Sequence, residues 1–222
     1  MALLGELQRV FENTYDRRAG IDLERCVVGP RRCAELVSRS DWHAEMSDSA
    51  RFFYYIDGGN LRLALFYASE TIGALEEHDP RRTLGEANVV PFLVFAEELS
   101  HAVHTTFAFR ESGTGRVQAE EFLDELELMA RIDAYLVVRH FLLGLTGRYT
   151  EEDRAWARHH AISRWDVPYE DAAIGGRYRN AARGAARFLD GFEALPAERQ
   201  IRALRRFRRL PLATKRARLR LG

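Results

Sequence analysis

Residues 89–109 read VVPFLVFAEELSHAVHTTFAF, and this stretch decides how the rest of the chain has to be arranged. On a helical wheel of about 100° per residue, Phe95, Leu99, Ala102 and Thr106 fall on one side, flanked by Ala96, Val103 and Phe107. Glu97, His101, His104 and Ala108 fall on the other, bordered by Leu93 and Val94. A helix that is apolar nearly all round is a buried helix. Here it would carry one carboxylate and two imidazoles in a narrow stripe, and buried charges need partners or a metal ion. Asn88 is placed to cap the helix. Pro91 falls in the first turn, where its missing N–H costs nothing.

Working outward, RFFYYI and LRLALFY flank Asp57-Gly58-Gly59-Asn60. Two aromatic and aliphatic runs around a Gly-Gly pair predict a β-hairpin over 51–67. Helices are expected over 2–18, with Leu3, Leu4, Leu7, Val10 and Phe11 on one face, and from Pro30 to about Ser38. After the break at Ser112-Gly113-Thr114-Gly115, a long helix is expected from about Gln118 to Leu143. Thr150-Glu-Glu-Asp153 has the form of a capping box. Residues 168–192, with a start at Tyr169-Glu170-Asp171, and 197–209 give two more helices, and Pro211 interrupts the last before a basic tail. The fold class is therefore mostly α (α+β): a helical domain with a small hairpin. All 222 residues read as a single domain, with a core over 51–143 and a basic helical tail over 197–222.

Composition narrows the class. With 46% hydrophobic and 30% charged residues the chain should form a globular core. No apolar run approaches the roughly 18–20 residues of a membrane span, and the N-terminus lacks the basic and apolar regions of a signal peptide. Cys26 and Cys33 match neither a redox pair nor a disulfide framework. A cytoplasmic location is the expectation from these features. Net charge is zero but uneven: residues 199–222 hold ten basic residues and no acid, so residues 1–198 hold 23 basic against 33 acidic. Lys215 is the only lysine, which reads as the codon usage of a GC-rich, bacterial genome.

The chemistry-bearing residues are Glu97, Glu98 and His101. Glu97 and His101 stand one turn apart and can reach one ion. The run Glu97-Glu98-Leu99-Ser100-His101 resembles the H-E-x-x-H motif of zincin-like metallopeptidases of the gluzincin type, with glutamate in place of the first histidine. The order hairpin, motif helix, break and acid-rich helix is similar too, so the resemblance covers roughly residues 50–140. It implies a divalent metal held by Glu97 and His101, with Glu98 as the general base that deprotonates the attacking water. The third ligand is implied to come from the acid-rich helix, where Glu121 and Glu125 lie one turn apart and Glu127 is a poorer choice. Two carboxylate ligands instead of one lower the ion's Lewis acidity and shift its preference from zinc toward iron or manganese.

The implied function is a metal-dependent hydrolase acting on a small-molecule or peptide substrate, or an inactive descendant of one. From another class, a non-enzymatic helical interaction protein would hold the same residues in a buried Glu/His network. Glu98-x-x-His101 also matches half of a ferritin-like di-metal site, but no second E-x-x-H occurs in the chain. The arginine-rich tail carries Ile201, Leu204, Phe207 and Leu210 at helical spacing. That pattern suits a helix docked by its apolar stripe, which offsets the acidic body, or a site for an acidic partner such as nucleic acid or an acidic membrane surface. No serine or cysteine stands in a nucleophile elbow, and no phosphate loop is present.

Overall fold

A computed structural model describes residues 3–39, 43–44, 48–165 and 172–221. In chain order these form α1 (Leu3–Tyr15), α2 (Pro30–Val37), β1 (His43–Ala44), β2 (Ala50–Asp57), β3 (Asn60–Tyr67), α3 (Ser69–Glu77), α4 (Val89–Ser112) and α5 (Thr114–Val117). There follow α6 (Phe122–Thr146), α7 (Glu151–Ala161), α8 (Ala172–Glu193), α9 (Ala197–Arg208) and α10 (Leu212–Arg218). The fold is mostly helical with a small antiparallel sheet, as the sequence predicts, and the short β1 adds a strand to the expected hairpin in the order β1-β2-β3. The expected helix start at Tyr169-Glu170-Asp171 lies outside the described residues. No described helix is long and apolar enough to cross a membrane.

The helix α4 is the axis of the molecule. It packs against α6, α1, α3 and both long strands, so it is covered from every side. Its Phe92, Leu99, Val103 and Phe107 join Ile132, Tyr135 and Val138 of α6 in one continuous core. Phe92 meets Phe141 edge to face at 4.9 Å. Asn88 stands at the N-cap, but its side chain makes no cap hydrogen bond. Its amide donates instead to the carbonyls of His78 and Thr83, and its oxygen accepts from the Gly85 N–H, knitting the preceding loop together.

The hairpin forms as its turn chemistry dictates. Asp57 pairs with Asn60, and Gly58 and Gly59 both take positive φ, 53° and 82°. That is the two-residue turn only such residues form without strain. Alternation then sorts the side chains. Phe52 and Tyr54 enter the main core, while Phe53 packs with Cys33, Leu36 and Ala64 in a second cluster beneath α2. Tyr67 at the end of β3 stacks on Phe95 at 4.3 Å and donates its hydroxyl to the Phe95 carbonyl. The hairpin is thus pinned to the N-terminal half of α4.

Gly113, at φ 69°, ends α4 at the expected break, and Gly147 caps α6 in the left-handed region. The Thr150–Asp153 capping box opens α7. Pro211 does more than interrupt the tail, since it starts a further helix, α10. That helix buries Leu212 and Lys215, and the Lys215 ammonium pairs with Glu125 of α6. Burial pushes the Lys215 ammonium down to about 8 even against the attraction of Glu125. Removing one partner of a buried pair costs about 3–5 kcal/mol because the other charge is stranded, whereas removing both costs little. We therefore expect Glu125→Leu to lower unfolding free energy by roughly that amount and Glu125→Leu with Lys215→Met to recover most of it. Urea denaturation of the two variants checks this.

Candidate metal centre

The polar stripe of α4 is buried: Glu97, Glu98, His101 and His104 are all 7% exposed or less. Their partners come from α6. Glu97 Oε1 accepts a hydrogen bond from Arg131 Nη2 at 2.8 Å. One turn along α4, His101 Nε2 faces Glu127 Oε1 at 3.4 Å. Arg131 and Glu127 are themselves one turn apart, and both are 1% exposed. Advancing along α4 while stepping back along α6 is the signature of two antiparallel helices in register.

Three groups converge. One ligand atom each from Glu97, His101 and Glu127 can be chosen so that all lie within 4.8 Å of one another. Atoms bonded at about 2.1 Å to a tetrahedral ion stand about 3.4 Å apart, which is the His101–Glu127 distance. Burial, with the neighbouring Arg131 and His104, holds the His101 imidazole down to about 3. The ring is therefore neutral at ordinary pH and has a lone pair to offer. Ring packing fixes its plane, with Phe52 of the hairpin stacked on it at 6.3 Å and 24°. His101 Nδ1 has no hydrogen-bond partner among the described residues. Metal-ligating histidines usually donate that second N–H, and the gap weakens the donor.

The third convergent group is Glu127, not the Glu121 or Glu125 that the sequence suggests. Glu121 is exposed at the N-cap of α6. Glu125 faces the tail, where it pairs with Arg116 and Lys215. The reason is rotational. Residues 125 and 127 differ by about 200° around a helix, so only one of them can look at α4. Glu98 is buried as the motif predicts but is not one of the three convergent groups. It lies toward the hairpin, where its charge adds to the burial that raises the Tyr67 phenol.

Beside the cluster lies a second polar centre that the sequence reading missed. Asp133, 1% exposed, accepts from the Ser100 hydroxyl at 2.6 Å and the Tyr15 hydroxyl, and meets His104 Nε2 at 2.7 Å. His104 thus belongs to a satisfied structural network rather than to the convergent set. Ser100 and His104, one turn apart on α4, were the available signal, since both can share one acceptor. Arg131 gave a signal too, as a lone guanidinium in the apolar run LMARIDAYLVV that needs a facing carboxylate. No family model, curated protein or solved structure matches the chain.

The neutral imidazole has a consequence for pH. An unfolded His101 takes its proton near the ordinary 6.5, the folded one only near about 3. Between those values the unfolded chain binds more protons, so stability falls as pH falls through the window. Chemical denaturation of chelator-treated protein from pH 7 to 4 should show this loss, and His101→Gln should flatten it. Stability that rose on acidification would mean that an imidazolium pairs with Glu127 instead.

Proposed function

We propose that the protein binds one divalent metal ion between α4 and α6 through Glu97, His101 and Glu127, and that the chemistry of this centre is metal-dependent hydrolysis. The observation that carries the reading is the convergence of two carboxylates and a neutral imidazole within 4.8 Å in a buried site. Carboxylates brought that close repel each other in a low-dielectric interior, and a cation between them relieves the repulsion. A donor set of two carboxylates and one imidazole favours manganese or iron over zinc. The resemblance of Glu97-Glu98-Leu99-Ser100-His101 to the zincin motif supplies the hydrolytic part, with Glu98 as the base. Two anionic ligands blunt the ion as a Lewis acid, and the burial of the cluster restricts substrates to small ones.

A second reading rests on Arg131, whose guanidinium already donates to Glu97 at 2.8 Å. On that reading Arg131 is the resident cation, and the cluster is a structural network of a non-enzymatic helical protein. The two readings part over Arg131→Met. Removing a positive charge beside a metal site tightens metal binding, because like charges at this range repel. Removing the only cation of a network leaves carboxylates stranded, with a loss of about 3–5 kcal/mol and no metal to bind.

Metal analysis by mass spectrometry, with manganese, iron and zinc titrated into chelator-treated protein, tests the proposal. Near-stoichiometric metal should be lost in His101→Ala and Glu127→Gln and retained in Glu125→Gln. Glu98→Gln should keep its metal and lose any hydrolytic turnover. Absence of metal from the wild type at micromolar ion concentrations would retire the proposal. Rapid cleavage of a general protein substrate at neutral pH would refute the argument from the two carboxylate ligands.

A further inference from the structure

Eight of the ten basic residues of the C-terminal segment fall into two sets. One set holds the segment to the body. Arg205 donates to the Asn13 and Thr14 carbonyls at the end of α1, at 2.9 and 2.8 Å. Arg208 pairs with Glu111 and sits 5.2 Å over the Phe107 ring. Arg216 pairs with Asp124, and Lys215 with Glu125. The other set is turned away from these contacts. Arg199, Arg202 and Arg206 recur along one face of α9, and Arg218 ends α10. Among the described residues none of these four guanidiniums has a carboxylate within ion-pair distance.

Those four, with Arg187 of α8, line a groove of about 690 Å³ between α8 and α9. No acidic side chain lines it. Arg187 donates to the carbonyls of Leu219 and Arg220, both at 2.6 Å, and so ties the end of α10 across one end of the groove. Its apolar floor is built from Phe188, Phe192 and Phe207. Gly191 and Ala203 are small residues on opposite walls, and a Cβ added at Gly191 would meet nothing within 4 Å. Like charges three and four residues apart destabilise a helix by a few tenths of a kcal/mol per pair. The α9 face accepts that cost with no counter-charge at ion-pair distance among the described residues.

We infer that this groove binds an acidic amphipathic helix of a partner protein. Two helical walls, small residues that permit close approach and an apolar floor are the features of a groove completed by a third helix. Arginines along the rim select carboxylates at the flanks of the incoming apolar stripe. Nucleic acid suits the groove less well. Phe192 and Phe207 are buried, and the half-buried Phe188 packs against them at 5.6 and 4.4 Å, so the floor offers little ring face on which to stack a base. A flat anionic membrane would meet arginines first and leave the recessed floor unfilled.

The test uses the full chain and a labelled synthetic peptide of about 18 residues, helical by design, with leucines spaced i, i+3, i+4 and i+7 and glutamates on both flanks. Fluorescence anisotropy should show saturable binding that a scrambled peptide of equal composition does not share. Arg202→Glu with Arg206→Glu changes only exposed side chains and should weaken binding by about tenfold or more, from attraction to repulsion. A peptide with lysines in place of the glutamates should bind that variant better than the wild type. The inference is overturned if the designed peptide binds no better than the scrambled one. It is overturned equally if the charge reversal has no effect, or if single-stranded RNA or vesicles of anionic lipid bind the groove more tightly than the peptide. Metal content is untouched by these variants, so the outcome is independent of the metal proposal.

Discussion

The constraint on which the structure depends is the burial of α4 on every side. A helix covered by α6, α1, α3 and the hairpin has no solvent to which polar side chains can escape. Yet Glu97, Ser100, His101 and His104 fall within an arc of about 100° on it. Each has therefore to be answered by a side chain on a neighbouring element, and α6 answers all four. Arg131 takes Glu97, Glu127 faces His101, and Asp133 collects Ser100 and His104. Sliding α6 by one residue would turn all three away, so the polar pairs fix the register of an interface that apolar packing alone would leave free to shift.

Much of this arrangement was legible in the residues. The apolar wheel of 89–109 requires burial, and the Gly58-Gly59 turn requires a hairpin, because both follow from local rules of period and φ. The third convergent group, Glu127, was not legible. Glu121 and Glu125 form an i,i+4 pair, but so do Glu127 and Arg131, and the wheel of α6 is apolar enough on several sides that periodicity does not orient it. What orients it is the charge on the facing helix, a tertiary fact. Tyr15 was out of reach for the same reason, since its hydroxyl meets Asp133 across 118 residues of sequence. The helix after Pro211 was missed because proline was read as an end, although proline also serves as the start of a helix.

The uneven charge of the chain also finds its place. The acidic body and basic tail meet where Arg116, Lys215 and Glu125 lie together and where Arg208 reaches Glu111. Those contacts explain why the tail docks, but they use only part of its charge. Docking is served by residues that point inward from α9 and α10, and Arg199, Arg202, Arg206 and Arg218 line a groove with an apolar floor. Solubility alone would ask for no such floor.

At the centre, the position of Arg131 bears on how a metal site can exist inside a packed core. A carboxylate pair and an imidazole left without any cation would be driven apart or protonated. The guanidinium holds Glu97 in place, and its charge adds to burial, the larger cause, in keeping the neighbouring imidazole neutral. The same charge opposes an incoming metal ion. On the proposed reading Arg131 sets the ligand geometry at a cost in metal affinity, while Glu127 faces the imidazole across 3.4 Å. If the centre takes a metal, its two carboxylates, Glu97 and Glu127, carry the charge that holds the ion, because the neutral His101 brings none.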